Sequence, residues 1–229
     1  MIEIIPAINA ADWATVKKQI EWIAPYTEWV HLDAADGKFT KNITWHNAED
    51  LGREGPKNIR FEAHLMLQDP ERQLDPWIKA GVRRVILHWE ALKPRGIFGG
   101  SSRKKIEAVA KTLQENWVEF GIALLYRTNP QEIKPHLALV DMVQVLAVNP
   151  GLAGQAAHSL EALEAVRMIK QMANLAKPQL KIEIDGGINA SNIKEFYLAG
   201  ANVAAAASAI FGAQEPQRAL ESLKRALLE

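Results

Sequence analysis

Short runs of aliphatic and β-branched residues alternate along this chain with longer segments whose apolar residues recur at helical spacing. Strict alternation of strand and helix implies parallel strands joined by crossover helices. About eight such pairs follow one another within 229 residues. The pattern therefore predicts an α/β fold, a (β/α)8 (TIM) barrel, with an open doubly wound sheet as the alternative.

The predicted elements can be placed residue by residue. The strands are Ile2–Ile5, Trp29–Asp33, Ile59–His64, Arg84–His88, Phe120–Leu125, Met142–Ala147, Lys181–Ile184 and Asn202–Ala205. The helices are Asp12–Ala24, Ala48–Arg53, Pro70–Ala80, a segment that follows the loop Lys93–Arg103 and ends near Asn116, Pro130–His136, Ser159–Ala173, Ala190–Ala199 and Pro216–Leu228. No change of composition marks a boundary, so we expect a single barrel domain over residues 1–229.

Composition excludes several classes of protein. Lys and Arg together number 27, as do Asp and Glu, so the formal net charge is zero. The chain therefore lacks the basic surface that is typical of a nucleic-acid-binding protein. The absence of cysteine excludes disulfides, thiolate metal sites and cysteine nucleophiles. No apolar run approaches the roughly 18 residues of a membrane span. The segment Met1–Ile5 lacks the basic region of a signal peptide, and we expect a cytoplasmic protein.

Histidine and aspartate residues stand at the C-terminal ends of three predicted strands. His31 and Asp33 are two positions apart and project to one side of their strand. His64 and Asp185 end two other strands, and all these ends meet at the mouth of a barrel. Two imidazoles and two carboxylates suit one divalent metal ion: Zn²⁺, Fe²⁺, Mn²⁺ or Co²⁺. Any of these residues taken alone has another interpretation, as a capping aspartate or a hydrogen-bonded core histidine.

His88 and Glu90 end the fourth predicted strand with the same spacing. Either residue would serve as an outer partner that orients a metal ligand.

Glycine-rich turns follow the sixth and seventh predicted strands. They contain Gly151, Leu152, Ala153 and Gly154, then Gly186 and Gly187, and Ala207 and Ser208 follow the eighth strand. Backbone N–H groups in such turns bind anions, and this end of a barrel is a frequent phosphate site. The pattern favours a phosphorylated small-molecule substrate.

Six short motifs follow one another in the order of the strands. They are His31-Leu32-Asp33-Ala34-Ala35-Asp36-Gly37, His64-Leu65-Met66, His88-Trp89-Glu90-Ala91, Val148-Asn149-Pro150-Gly151, Asp185-Gly186-Gly187-Ile188 and Ser208-Ala209-Ile210-Phe211. Together they resemble the motifs of the ribulose-phosphate 3-epimerase family. The resemblance implies a barrel enzyme of the pentose phosphate pathway that uses one metal ion to interconvert ketose phosphates at C3, such as D-ribulose 5-phosphate and D-xylulose 5-phosphate.

The same resemblance implies roles for individual residues. His31, Asp33, His64 and Asp185 would hold the metal, which polarises the C2 carbonyl and C3 hydroxyl and stabilises a cis-enediolate. Asp33 and Asp185 would also be the catalytic pair, one removing the C3 proton and the other returning a proton to the opposite face. The phosphate would lie on the backbone of the glycine-rich turns.

Several positions depart from the family pattern. The family's Pro-Ser-Ile-Leu reads Pro6-Ala7-Ile8-Asn9, so Asn9 is the residue that would replace the serine hydroxyl lost at Ala7. Met66 is kept in the substrate pocket, while two other methionines are replaced by Ala35 and Leu146. The remaining changes are Ala207 for glycine, Leu152-Ala153 for Phe-Gly, and Leu125-Tyr126-Arg127 for Asn-Pro, which brings an arginine toward the mouth.

Three functions remain open at this stage. An epimerase is favoured, acting on ribulose 5-phosphate or, because Ala35 would widen the pocket, on a hexulose phosphate. A metal-dependent lyase that forms an enediolate and a catalytically silent sugar-phosphate binding protein are the alternatives. Barrels of this kind often form homo-oligomers, but the sequence identifies no interface.

Overall fold

Eight aliphatic segments form parallel strands in the computed structural model, which describes residues 2–93, 101–152 and 154–228. The strands are β1 (Glu3–Ile8), β2 (Trp29–Ala35), β3 (Arg60–Met66), β4 (Arg84–His88), β5 (Glu119–Leu125), β6 (Met142–Leu146), β7 (Lys181–Asp185) and β8 (Val203–Ala206). Each strand pairs with the next, and β8 pairs with β1, which closes the barrel. The predicted TIM barrel is confirmed and the open sheet is wrong.

Helices connect successive strands around the barrel. They are α1 (Trp13–Ile23), α2 (Ala48–Glu54), α3 (Leu74–Ala80), α4 (Trp89–Leu92), α5 (Ser102–Glu115), α6 (Ser159–Ala176), α7 (Ile193–Ala199), α8 (Ser208–Phe211) and α9 (Pro216–Arg225), with 3₁₀ segments at Ala24–Tyr26, Pro70–Arg72 and Pro130–Leu139. Asp12 caps α1, as its position predicted, by accepting the Thr15 N–H at 2.9 Å. Among the helices of the described ranges, none combines the length and apolar character needed to cross a bilayer.

The observed elements differ from the predicted ones at several ends. β1 continues through Pro6 and ends at Ile8, three residues after the predicted end. Its residues from Ile4 to Ile8 are all buried, as is usual for a parallel strand that is covered on both faces. The segment Pro130–Leu139 is a 3₁₀ helix rather than the predicted α-helix, and Pro135 within it lacks the N–H that an α-helix needs. The helix predicted from Ala190 begins three residues later. Most of the predicted loop Lys93–Arg103 lies outside the described residues.

Alternate residues of every strand point into the barrel. One apolar cluster of buried strand residues consists of Ile5, Trp29, Ile86, Ala123, Met142 and Val203. Nearer the C-terminal ends, the strand register sets His31 beside Glu62 and Asp33 beside His64. The C-terminal ends of the strands thus bring polar residues together at the mouth of the barrel, where the candidate site lies.

Candidate active site

Two histidines and two aspartates meet inside the mouth of the barrel. β2 supplies His31 and Asp33, β3 supplies His64 and β7 supplies Asp185. Each residue offers one ligand atom, and these four atoms lie within 4.8 Å of one another. Both histidines are fully buried, and Asp33 and Asp185 expose only 8% and 6% of their surface. We call these four residues the mouth cluster.

Hydrogen bonds fix the side chains of the mouth cluster. Asp33 Oδ1 lies 3.0 Å from His64 Nδ1 and 3.3 Å from His31 Nε2. Asn9 Nδ2 donates to the other oxygen, Asp33 Oδ2, at 3.1 Å. Gln144 Nε2 donates to Asp185 Oδ2 at 2.8 Å. Both carboxylates are therefore held in defined orientations by neutral amide donors.

The two carboxyl groups have opposite electrostatic environments. Burial raises the pKa of Asp185 to about 7, and repulsion from Asp33 acts in the same direction. Burial would also raise the pKa of Asp33, but hydrogen bonds from His31 and His64 outweigh it and hold this pKa well below its usual range. A second full negative charge in this space is therefore unfavourable unless a cation balances it.

The donor set of the mouth cluster fits a divalent cation. Two imidazole nitrogens and two carboxylate oxygens are ligands that Zn²⁺, Fe²⁺, Mn²⁺ and Co²⁺ accept. The four donors already converge, and burial together with the charge of Asp33 raises the pKa of Asp185 at the same point. The charge and the geometry point to the same kind of occupant.

A small cleft of about 40 Å³ opens over the mouth cluster. Nine of the predicted substrate-binding residues line it: Asn9, Met66, Gly151, Leu152, Gly154, Gly186, Gly187, Ala207 and Ser208. Asp33 and Asp185 form its floor, and four further residues also line it: Leu146, Val148, Gln155 and Ile188. Ala7 does not line the cleft, because it is fully buried in β1 beside His31. Ala153 lies outside the described residues.

The glycine turn after β7 is shaped by close backbone contact. Gly186 and Gly187 have φ angles of 94° and 70°, which favour glycine. A Cβ atom on Gly187 would lie 2.4 Å from the backbone nitrogen of Ala157. Only glycine at this position lets the turn pack against the segment after β6, and both glycines of the turn line the cleft.

His88 and Glu90 lie behind the mouth cluster. His88 Nε2 is 2.8 Å from His64 Nε2, and His88 Nδ1 is 3.2 Å from Glu90 Oε2. Glu90 Oε1 in turn accepts the Thr128 hydroxyl at 2.5 Å and the Leu125 N–H at 3.1 Å. The ring of His64 is thus connected to the segment that follows β5.

Two of the departures from the family pattern lie away from the cleft. Arg127 is exposed, and its guanidinium carbon lies 6.0 Å from the centre of the Tyr126 ring. Ala35 is fully buried, and its N–H donates to Thr44 Oγ1 at 2.8 Å. Neither residue belongs to the cleft wall, whereas Leu146 does.

Four buried polar residues near the site were missed by the sequence analysis: Glu62, Arg84, Gln144 and Glu183. All four are fully buried in strands. Each interrupts an apolar strand at the inward-facing parity; Glu62 is two residues before His64 and Glu183 two residues before Asp185. That parity was the available signal, because a buried strand admits polar residues only where they find partners.

Sequence comparisons with known proteins identify one family. The family model described as the Ribulose-phosphate 3 epimerase family matches residues 3–211. Ribulose-phosphate 3-epimerase of Mycobacterium leprae (strain TN) is 32% identical over 226 residues, covering 97% of this chain and 93% of that protein. The protein of the same name from Schizosaccharomyces pombe is 29% identical over 237 residues, covering 99% and 94%. A solved structure of 3-hexulose-6-phosphate synthase from Salmonella typhimurium has a TM-score of 0.71 at 14% identity, covering 99% of both chains, and shares the fold.

Proposed function

Because the chain belongs to the ribulose-phosphate 3-epimerase family and is a carbohydrate-phosphate epimerase, we propose that it interconverts D-ribulose 5-phosphate and D-xylulose 5-phosphate. The observation that carries this proposal is the pair of buried carboxylates, Asp33 and Asp185, on the floor of one cleft. Inversion at C3 requires a proton to leave one face of the carbon and another to arrive at the opposite face. Two carboxyl groups from different strands can perform these two transfers.

His31, Asp33, His64 and Asp185 would hold one divalent ion, Zn²⁺, Fe²⁺, Mn²⁺ or Co²⁺. When bound, such an ion supplies positive charge that stabilises negative charge developing on substrate oxygens. The support is the donor set itself, which is convergent and buried.

Asp33 and Asp185 would act as the proton-transfer pair. One carboxylate removes the C3 proton, and the electron pair of the broken C–H bond forms the C2–C3 double bond of a planar enediolate. The other carboxyl group gives a proton to C3 from the opposite side, which restores the ketone with inverted configuration. The two roles exchange when the reaction runs in reverse.

Neighbouring amides would keep this pair aligned. Asn9 holds one oxygen of Asp33, and Gln144 holds one oxygen of Asp185. His88 and Glu90 would orient the ring of His64 from behind. Such outer partners restrict the rotation of the reacting groups and so favour productive geometry.

The rest of the cleft would bind the sugar phosphate. The backbone of Gly186 and Gly187, together with Ser208, lies on the same cleft wall and would receive the phosphate. Met66 and Leu146 supply an apolar surface beside the two carboxylates. This arrangement would place the phosphate at the rim and C3 near the floor.

The test is conversion of D-ribulose 5-phosphate by purified protein loaded with Mn²⁺ or Zn²⁺, followed by NMR. We expect D-xylulose 5-phosphate to form, and Asp33→Asn and Asp185→Asn each to lower the rate by at least about 100-fold. Glu54→Gln is the matched control, because it also removes one carboxylate, but that carboxylate lies on the surface, where Glu54 pairs with Lys17. Its rate should equal that of the native protein.

Two other results would refute the proposal. Products of carbon–carbon bond cleavage would favour the lyase alternative. Tight binding of ketose phosphates to the metal-loaded protein without conversion of any of them would favour a silent binding protein.

A further inference from the structure

A row of alternating charges crosses the inside of the barrel below the mouth cluster. His31 Nδ1 lies 2.8 Å from Glu62 Oε1, and the other Glu62 oxygen accepts from Arg84. Arg84 Nε donates to Glu119 at 2.7 Å, and Lys181 Nζ donates to Glu119 at 2.8 Å. We call these five residues the barrel charge row.

The strand register builds this row. His31 is paired with Glu62 across β2 and β3, Glu62 with Arg84 across β3 and β4, and Arg84 with Glu119 across β4 and β5. His31, Glu62 and Arg84 are fully buried. A buried carboxylate and a buried guanidinium are retained only when each has a charged partner, so Arg84 keeps Glu62 in place as an ionised acceptor.

The contact with Glu62 decides which nitrogen of His31 faces the mouth cluster. An ionised carboxylate only accepts hydrogen bonds, so Nδ1 of His31 carries the proton that it donates to Glu62. The opposite nitrogen, Nε2, points at Asp33 Oδ1, 3.3 Å away. A cation at the cluster would need the electron pair of Nε2, and an imidazole that keeps its proton at Nδ1 for Glu62 presents that pair at Nε2.

We propose that Glu62, held by Arg84, is a positioning residue that fixes the tautomer and ring orientation of His31 for cation binding. The proposal rests on the metal site of the proposed function. Glu183 is the other carboxylate near His31 Nδ1, but its closest oxygen lies 3.6 Å from that nitrogen, which is too far for a hydrogen bond. Glu62 is therefore the acceptor that acts on His31.

The test compares variants along the barrel charge row. Glu62→Gln removes the negative charge that contacts His31. Glu119→Gln removes a negative charge further along the row, on the other side of Arg84. A Glu62→Leu variant alone leaves Arg84 buried without its partner and is at risk of not folding. The double variant Glu62→Leu with Arg84→Met removes both charges together and keeps an apolar interior.

Two measurements separate positioning from simple stabilisation. The first is the Zn²⁺ dissociation constant, from competition with a chromophoric chelator. The second is the ¹⁵N NMR spectrum of ¹⁵N-histidine-labelled, Zn²⁺-loaded protein, which distinguishes a protonated nitrogen from a metal-bound one. Thermal unfolding of each variant without metal reports stability separately.

We expect Glu62→Gln to weaken Zn²⁺ binding by about 10-fold and the double variant by about 10- to 100-fold. Both should alter the Nδ1–H signal of His31, while Glu119→Gln lowers the melting temperature but leaves the Zn²⁺ affinity and that signal unchanged. Folded Glu62→Gln and double variants that bind Zn²⁺ as tightly as the native protein would overturn the proposal while leaving the metal site intact. A native protein that does not bind Zn²⁺ would overturn both.

Discussion

Removing the Asp185 carboxylate should stabilise the metal-free protein. This side chain is buried within 4.8 Å of the other donors of the mouth cluster, and Asp33 is already ionised beside it. Burial and the charge of Asp33 raise the pKa of Asp185 from its ordinary value of 3.8 to about 7. Asp185→Asn keeps the shape and an oxygen for Gln144 but never carries the charge.

The sign and size of the effect follow from this pKa. The folded state holds the Asp185 proton more tightly than the unfolded state, so its contribution favours folding below about pH 4 and is lost as the pH rises through about 7. A pKa change of this size corresponds to about 4 kcal/mol of unfolding free energy. We therefore expect metal-free Asp185→Asn to exceed the native protein by about 2 to 4 kcal/mol near pH 8, and by much less near pH 4.

Saturating metal should reduce this advantage of the variant. The native protein with four donors gains about 2.7 kcal/mol at a metal concentration 100 times its dissociation constant, whereas the variant lacks one charged donor and gains less. The assay is urea unfolding followed by circular dichroism, at several pH values, with chelator or with Zn²⁺. Glu54→Gln, which replaces an exposed carboxylate, should show neither the pH-dependent gain nor a metal-dependent loss of it. A metal-free Asp185→Asn that is less stable than the native protein at every pH would refute the electrostatic account.

Three further substitutions test the cleft. Gly187→Ala should lower the unfolding free energy by more than about 3 kcal/mol, because a positive φ and a backbone contact both oppose the methyl group, and differential scanning calorimetry measures this. Gly81→Ala is the control for this substitution, because the φ angle of Gly81 is also positive but no atom lies within 4 Å of the added Cβ. We expect it to lower the unfolding free energy by about 1 kcal/mol. Equal losses at the two sites would contradict the packing argument. Asn9→Ala should lower kcat/KM by about 10-fold, since it removes a hydrogen bond to an ionised carboxylate; an unchanged value in steady-state kinetics would show that Asn9 does not orient Asp33. Arg127→Met should change KM by less than about twofold, because Arg127 is exposed and does not line the cleft. A large rise in KM would instead indicate that Arg127 contacts the substrate.

The alternation of strands and helices was enough to predict the barrel and the meeting point of the mouth cluster. The C-terminal ends of parallel strands share one edge of the sheet, so residues that end different strands come together whatever their separation in sequence. His31 and Asp185 are 154 positions apart and meet for this reason. The same rule placed the glycine turns on the cleft.

The barrel charge row was not predictable in this way. Whether Glu62 touches His31, Arg84 or neither depends on the register between neighbouring strands, and a shift of one residue would turn each side chain to the other face. The position of Arg127 likewise depends on the turn after β5, where its guanidinium lies over Tyr126. Sequence pattern fixes which strand end a residue occupies, while pairing and turn geometry decide its contacts.

The most direct test of the two-aspartate mechanism is the isotope at C3 of the product. Metal-loaded protein is incubated with D-ribulose 5-phosphate in deuterium oxide, and the first D-xylulose 5-phosphate formed is examined by proton NMR. If one carboxylate removes the C3 proton and the other delivers a solvent-derived one, the product carries deuterium at C3 from the first turnovers, and Asp33→Asn and Asp185→Asn abolish the label. Product that retains protium at C3, or labelling that survives in either variant, would contradict the mechanism.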